Sequence, residues 1–348
     1  MQRKSVVTAL AVIAATVTVL IAPLSPAPAA EEPVLNLYSS RHYQTDESLY
    51  EDFTKATGIE IRRIEGKGDE LMRRILAEGG NSPADVFITV DAGNLWRAEQ
   101  AGLFAPVESA LLEERIPSNL RHPDGLWFGF STRARMIFYD PRRIDAGALE
   151  RYADLADSRW RGEVCIRSSG NIYNLSLLGA LIAHDGVGQA ETWASGVVAN
   201  FARQPQGGDT DQLRAVAAGE CGIALANSYY FARLMNSADE TDQAVVARLG
   251  WVFPDQGGQG THVNISGAGV LETAPHPEAA RRFLEYLASD RAQTLFALGN
   301  NEYPAAAAPI ENPALQTMGP FEMDSLNVSR FGEHQAEAQQ VFDRAGWR

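Results

Sequence analysis

Only two cysteines occur in the 348 residues, and neither belongs to a CxxC pair or a Cys/His cluster, which argues against a zinc-type site. Basic charge is also scarce. Thirty Lys and Arg face 44 Asp and Glu, a net charge of −14. Nucleic acid and anionic membrane surfaces both need a basic face, so neither is an expected partner. GxSxG, HExxH and Walker signatures are missing, and with them the readiest grounds for a hydrolase or a nucleotide-driven enzyme. Repeats and long low-complexity linkers are missing as well, which speaks against beads on a string. What is present is ordinary globular composition, 45% hydrophobic and 21% charged, in a chain long enough for about two domains.

A long uncharged apolar run stands at the start. Arg3 and Lys4 precede Val6 to Ile21, and Ala27-Pro28-Ala29-Ala30 follows. A basic start, an apolar stretch and small residues make a secretory signal, cut after Ala29 or Ala30. An uncleaved anchor is the competing reading, but the run is short for a span. No cysteine stands at the cut, which argues against a lipid anchor. Residues 1–30 are therefore expected to be a cleaved signal, and the mature protein to be exported to a periplasm. That compartment bears on Cys165 and Cys221, because disulfides persist where it is oxidising. Both lie in short apolar runs that read as strands of one sheet. A bridge is favoured over two separate thiols, closing a loop of roughly 56 residues, on the order of 4 kcal/mol in the chain-entropy model.

The mature chain alternates strand and helix signals, which points to an α/β fold. Val34 to Tyr38 reads as a first strand. A helix opens at Thr45-Asp46-Glu47, carries Leu49 and Phe53 at i, i+4, and ends at Gly58. Ile59 to Ile64 is a second strand, and Asp69 to Glu78 a helix with Leu71, Met72, Ile75 and Leu76 inward. Gly66-Lys67-Gly68 lacks P-loop spacing and is a turn. Pro83 to Ile88 is a strand, followed by a helix from near Asp91. Trp127 to Tyr139 is a long β run containing Arg133 and Arg135, read either as an exposed face or as charge balance for a site. Tyr173 stands in the first turn of an apolar helix, where the helix dipole and backbone N–H groups favour an anionic group.

Ala226-Asn227-Ser228-Tyr229-Tyr230 is where the strand from Gly222 gives way to a helical pattern. In open α/β sheets ligands bind beyond the carboxyl ends of strands, so two phenols there are candidates for a cleft. Packing is the competing reading, since Tyr also favours half-buried strand ends. Helical spacing places Tyr230 and Arg233 within one turn.

Several segments together resemble a known family: Leu35 to Tyr43, Ser82 to Phe87, Arg133-Ala134-Arg135, Arg167 to Asn174, Asn227 to Tyr230 and Glu302-Tyr303-Pro304. They look like the periplasmic ferric-ion-binding proteins of bacterial ABC importers, most of all the tyrosine-rich branch typified by cyanobacterial members. The resemblance spans essentially the whole mature chain. It implies the two-lobed periplasmic binding protein fold, with lobes of residues 31–131 plus 262–308 and 132–261 plus 309–348 joined by crossing strands. It implies no enzyme activity, monomeric action, and delivery to an inner-membrane permease and its ATPase. By resemblance Tyr43, Tyr173, Tyr229 and Tyr230 are metal ligands, His42 is a further candidate, and Arg133 and Arg233 are candidates for charge balance. The carboxylate ligand of the phosphate-using branch aligns with Val90, so the extra phenols would replace it and a synergistic anion such as carbonate is less needed, although Ser169 and Gly170 leave room for one.

The chemistry of the donors supports the same cargo. Fe(III) is a hard ion that suits oxygen, whereas ionising a phenol of pKa about 10 at pH 7 costs roughly 4 kcal/mol, or about 16 kcal/mol for four. A strongly polarising ion offsets that; Fe(II) does so less well. The competing function is a receptor for a small organic anion, its carboxylate held by Arg133 and Arg233 and walled by the tyrosines.

Overall fold

The central strands of this protein form where apolar runs are buried on both faces, as in β3, β4, β6 and β8, and strand pairing builds one continuous path of sheet. The structure is a computed structural model that describes residues 33–41 and 45–348. The expected signal segment and the candidate ligands His42 and Tyr43 lie outside the described residues. Among the described residues the strands are β1 (Val34–Ser39), β2 (Glu60–Glu65), β3 (Val86–Val90), β4 (Phe128–Tyr139), β5 (Val164–Cys165), β6 (Ile223–Asn227), β7 (Gly250–Val252), β8 (Val263–Val270) and β9 (Tyr303–Pro304). Their order is β2-β1-β3-β8-β4-β6-β5, with β7 and β9 also on β4.

Strand β4 organises this path because it belongs to two sheets in turn. Phe128 to Ala134 pair with β8, and Arg135 to Tyr139 pair with β6. Beside it, Arg135 N–H donates to the His262 carbonyl at 3.0 Å, so the chain entering β8 runs alongside β4 at the changeover. Eleven of the twelve β4 residues are buried. The result is a mixed α/β fold in two lobes, one on β1, β2, β3 and β8, the other on β5, β6 and β7, with β4 and β8 crossing between them.

Helices cover the sheets as their spacing requires. Asp46–Thr57 buries Leu49, Tyr50 and Phe53 and stops at Gly58, whose φ of 74° suits glycine. Burying such side chains stabilises by roughly 1.5–3 kcal/mol each. Gly68–Glu78 buries Leu71, Met72 and Ile75 but leaves Leu76 52% exposed, so the expected inward position of Leu76 is wrong. The chain ends in two helices, Ser329–Glu333 and Gln335–Ala345. Cys165, at the end of β5, is bonded to Cys221, just ahead of β6; the two strands are parallel neighbours.

Candidate metal centre

Two helix starts bring the phenols together. Helix Ile172–Asp185 is capped by Asn171, whose side chain accepts from Tyr173 N–H at 3.2 Å, which fixes Tyr173 in its first turn. Helix Ser228–Met235 begins directly after β6, so Tyr229 and Tyr230 occupy its first turn. The start is held from below, where Ser228 Oγ accepts from Ala134 N–H of β4 at 3.2 Å. The Tyr173 and Tyr229 hydroxyl oxygens stand 3.2 Å apart, and the rings of Tyr229 and Tyr230 are 4.1 Å apart between centroids. Tyr229 is buried, whereas Tyr173 and Tyr230 are half-buried. Three of the expected donors therefore share one place. Among the described residues no group of three or more His, Cys, Asp or Glu is placed to hold a metal.

Cations surround these rings. Arg133 lies 5.7 Å from the Tyr229 centroid, Arg233 5.8 Å from those of both Tyr229 and Tyr230, and Arg167 5.4 Å from that of Tyr173. Positive charge beside a phenol favours its ionised form, and the first turn of a helix adds to that. Arg167 is not legible in the sequence as part of the site, because its partner Asp209 lies far along the chain.

Arg133 and Arg135 are not an exposed strand face; both are 1% exposed. The reason is pairing across long sequence distances. Arg133 forms an ion pair with Glu302 and donates to the Ile265 carbonyl at 2.7 Å. Burial works against ionisation of Glu302, but Arg133 and Arg41 outweigh it and hold its carboxyl below the usual range. Arg135 reaches Asp209 at 2.7 Å, Asn227 at 3.0 Å and Asn174 at 2.8 Å. It thus ties together the two segments that carry Tyr173 and Tyr229.

Asp91, next to Val90, is no ligand to this cluster. It caps the helix Ala92–Gln100 through Gly93 N–H and bonds Ser176 at 2.7 Å and Asn264 at 2.9 Å. Its bond to Ser176 spans the lobes, from the end of β3 to helix Ile172–Asp185.

This arrangement, two α/β lobes joined by crossing strands with a cluster of polar side chains at helix starts, defines a solute-binding protein of the extracytoplasmic kind. The chain belongs to the family described as bacterial extracellular solute-binding protein, whose model matches residues 81–321. It is similar to iron uptake protein A2 of Synechocystis, 51% identical over 321 residues, with 92% of this chain and 91% of that protein covered. Among solved structures it is similar to the Trichodesmium protein IdiA or FutA in complex with iron and citrate ligands, at TM-score 0.88 and 55% identity, covering 90% of this chain and all of that one. Apo FutA2 from Synechocystis follows at TM-score 0.87 and 52% identity, covering 91% and 100%. The relatives are binding proteins of iron uptake, not enzymes.

Proposed function

We propose that this protein is a periplasmic ferric-ion-binding protein: it captures Fe(III) in the cleft between its lobes and hands it to an ABC importer, an inner-membrane permease with its ATPase. The observation that carries the reading is the 3.2 Å approach of the Tyr173 and Tyr229 hydroxyls beside Tyr230, ringed by guanidinium groups. Phenol oxygens are hard donors, and only a highly charged cation offsets the cost of ionising several of them together. Tyr43 is the fourth donor in this reading and His42 a further one; both follow Arg41 directly in the sequence. The lobes are residues 31–131 with 262–308, and 132–261 with 309–348. The protein acts as a monomer after removal of residues 1–30.

The organic-anion alternative is disfavoured because Arg133 is already committed to Glu302 and the Ile265 carbonyl. The first test is an iron titration of the mature protein, with and without citrate, since the Trichodesmium relative carries both iron and citrate. One Fe(III) per chain and a visible phenolate-to-iron band are expected, and Tyr229→Phe and Tyr230→Phe should each weaken or shift that band. Unchanged spectra and affinity in both variants would remove the Tyr pair from the site.

A further inference from the structure

The guanidinium groups near the phenols differ in how their charge is compensated. Arg41 and Arg133 share Glu302, and Arg41 also pairs with Asp46 at 2.9 Å. On that side the two buried cations meet the buried carboxylates of Glu302 and Asp46, and Arg133 also acts on buried Asp91. The other side has one carboxylate for two cations. Asp209 accepts from Arg135 at 2.7 Å and from Asn227 N–H at 2.8 Å, and its second oxygen lies 3.5 Å from Arg167 Nη1. One positive charge is left over.

That charge is directed at the phenols. Arg167 lies over the Tyr173 ring. Its main chain is fixed as well, because the Arg167 carbonyl accepts from Asn174 Nδ2 and from Trp347 Nε1, both at 3.0 Å. Arg233, by contrast, is exposed, where water and salt screen its charge.

We propose that Arg167 is a positioning residue of the metal centre: anchored by Asp209 and lying over the Tyr173 ring, it sets Tyr173 and supplies the charge that stabilises the anionic iron site which that phenol helps to build. This rests on the ferric reading of the site. Four phenolates on Fe(III) leave one net negative charge, and on Fe(II) two. A fixed positive charge therefore strengthens binding of both states and favours the reduced one more, raising the reduction potential of the bound metal.

The experiment compares the wild type with Arg167→Ala and Arg167→Lys in Fe(III) titrations and in spectroelectrochemistry of the loaded proteins. Expected in Arg167→Ala is at least a tenfold loss of Fe(III) affinity together with a tenfold shift of the Fe(III)/Fe(II) preference toward Fe(III), a potential lowered by about 59 mV for a one-electron couple. Arg167→Lys keeps the charge and should stay within threefold of wild type in both readouts. A wild type that binds iron while Arg167→Ala matches it in affinity and potential overturns the assignment of Arg167 alone. So does an affinity loss that Lys fails to restore and that leaves the potential unmoved, since that is what lost packing would give. A wild type that takes up no iron overturns the ferric reading and this inference with it.

Discussion

Arg133 and Arg233 approach the same ring of Tyr229 at nearly the same distance, yet they should respond to mutation in opposite ways. Arg133 is buried, and its removal leaves Glu302 in the interior with Arg41 3.4 Å away as its remaining cation. Breaking a buried pair in this way costs about 3–5 kcal/mol. Arg233 is exposed at the end of a helix turn, so its loss should change stability by no more than about 0.5 kcal/mol. A charge about 6 Å from a phenolate at intermediate dielectric is worth on the order of 1 kcal/mol, roughly fivefold in iron affinity. Urea unfolding of the iron-free variants and iron titration of the folded ones separate the two cases. Equal unfolding midpoints for Arg133→Ala and wild type would show that the Glu302 pair carries no stability.

At the scale of elements, the disulfide makes a prediction of its own. Cys165 and Cys221, 56 positions apart in sequence, join the end of β5 to the entry of β6. That loop contains helix Ile172–Asp185, with Tyr173 in its first turn, and β6 leads directly into Tyr229. Reduction, or the double Cys→Ala variant, should cost about 2–5 kcal/mol of stability. Neither cysteine supplies an atom to the phenol cluster, so the visible iron band should persist below the lowered melting temperature. Loss of the band in a variant that is still folded would tie the bridge to the site itself.

Much of this level was legible in the sequence, and the failures have a common cause. Apolar runs such as Ile223 to Leu225 and the i, i+4 pair Leu49 and Phe53 encode local burial, and both are buried as read. Tyr173 and the Tyr229-Tyr230 pair were legible as first-turn residues because strand-to-helix changes are marked locally. Arg133 and Arg135 misled because their partners, Glu302 and Asp209, are 169 and 74 residues away. Arg167 was missed for the same reason, since nothing adjacent to it in sequence announces Asp209. Leu76 fits the apolar stripe of its helix, but stripe position does not say where the covering layer stops. For His42 and Tyr43 the sequence resemblance remains the ground of assignment.

The two-lobed molecule predicts motion. In the proposed reading Tyr43 and His42 belong to the first lobe and Tyr173, Tyr229 and Tyr230 to the second, so one ion could engage them all only when the lobes approach, and its binding energy would shift the open and closed populations. Small-angle scattering should show a smaller radius of gyration with iron than without. Identical profiles would count against closure.

Stability of the whole molecule against pH should depend on two buried groups at the lobe crossing whose effects oppose each other. His262 is buried at the entry to β8, and burial, with Arg135 and His184 nearby, pushes its pKa down to about 3. The unfolded chain takes up a proton near pH 6.5 that the folded chain refuses, so stability falls as pH drops through this window. Asp91 is also fully buried; burial pushes its pKa up to about 6, against the opposing effects of Ser176, Gly93, Arg133 and Asn264. Here the folded chain holds a proton that the unfolded chain releases above about pH 4, so stability rises as pH falls from 6 toward 4. Near pH 5 each contributes a slope close to 1.4 kcal/mol per pH unit, with opposite signs, and in the wild type they nearly cancel. Asp91→Asn keeps the size of the side chain and removes the favourable branch, so between pH 6 and 4 its unfolding free energy should fall more steeply than that of wild type by about that slope. His262→Gln should do the reverse and gain on the wild type as the solution is acidified. Chemical unfolding of the iron-free proteins at half-unit steps measures both differences. Parallel curves for all three proteins would mean that neither group changes its protonation between the folded and unfolded chain in this range.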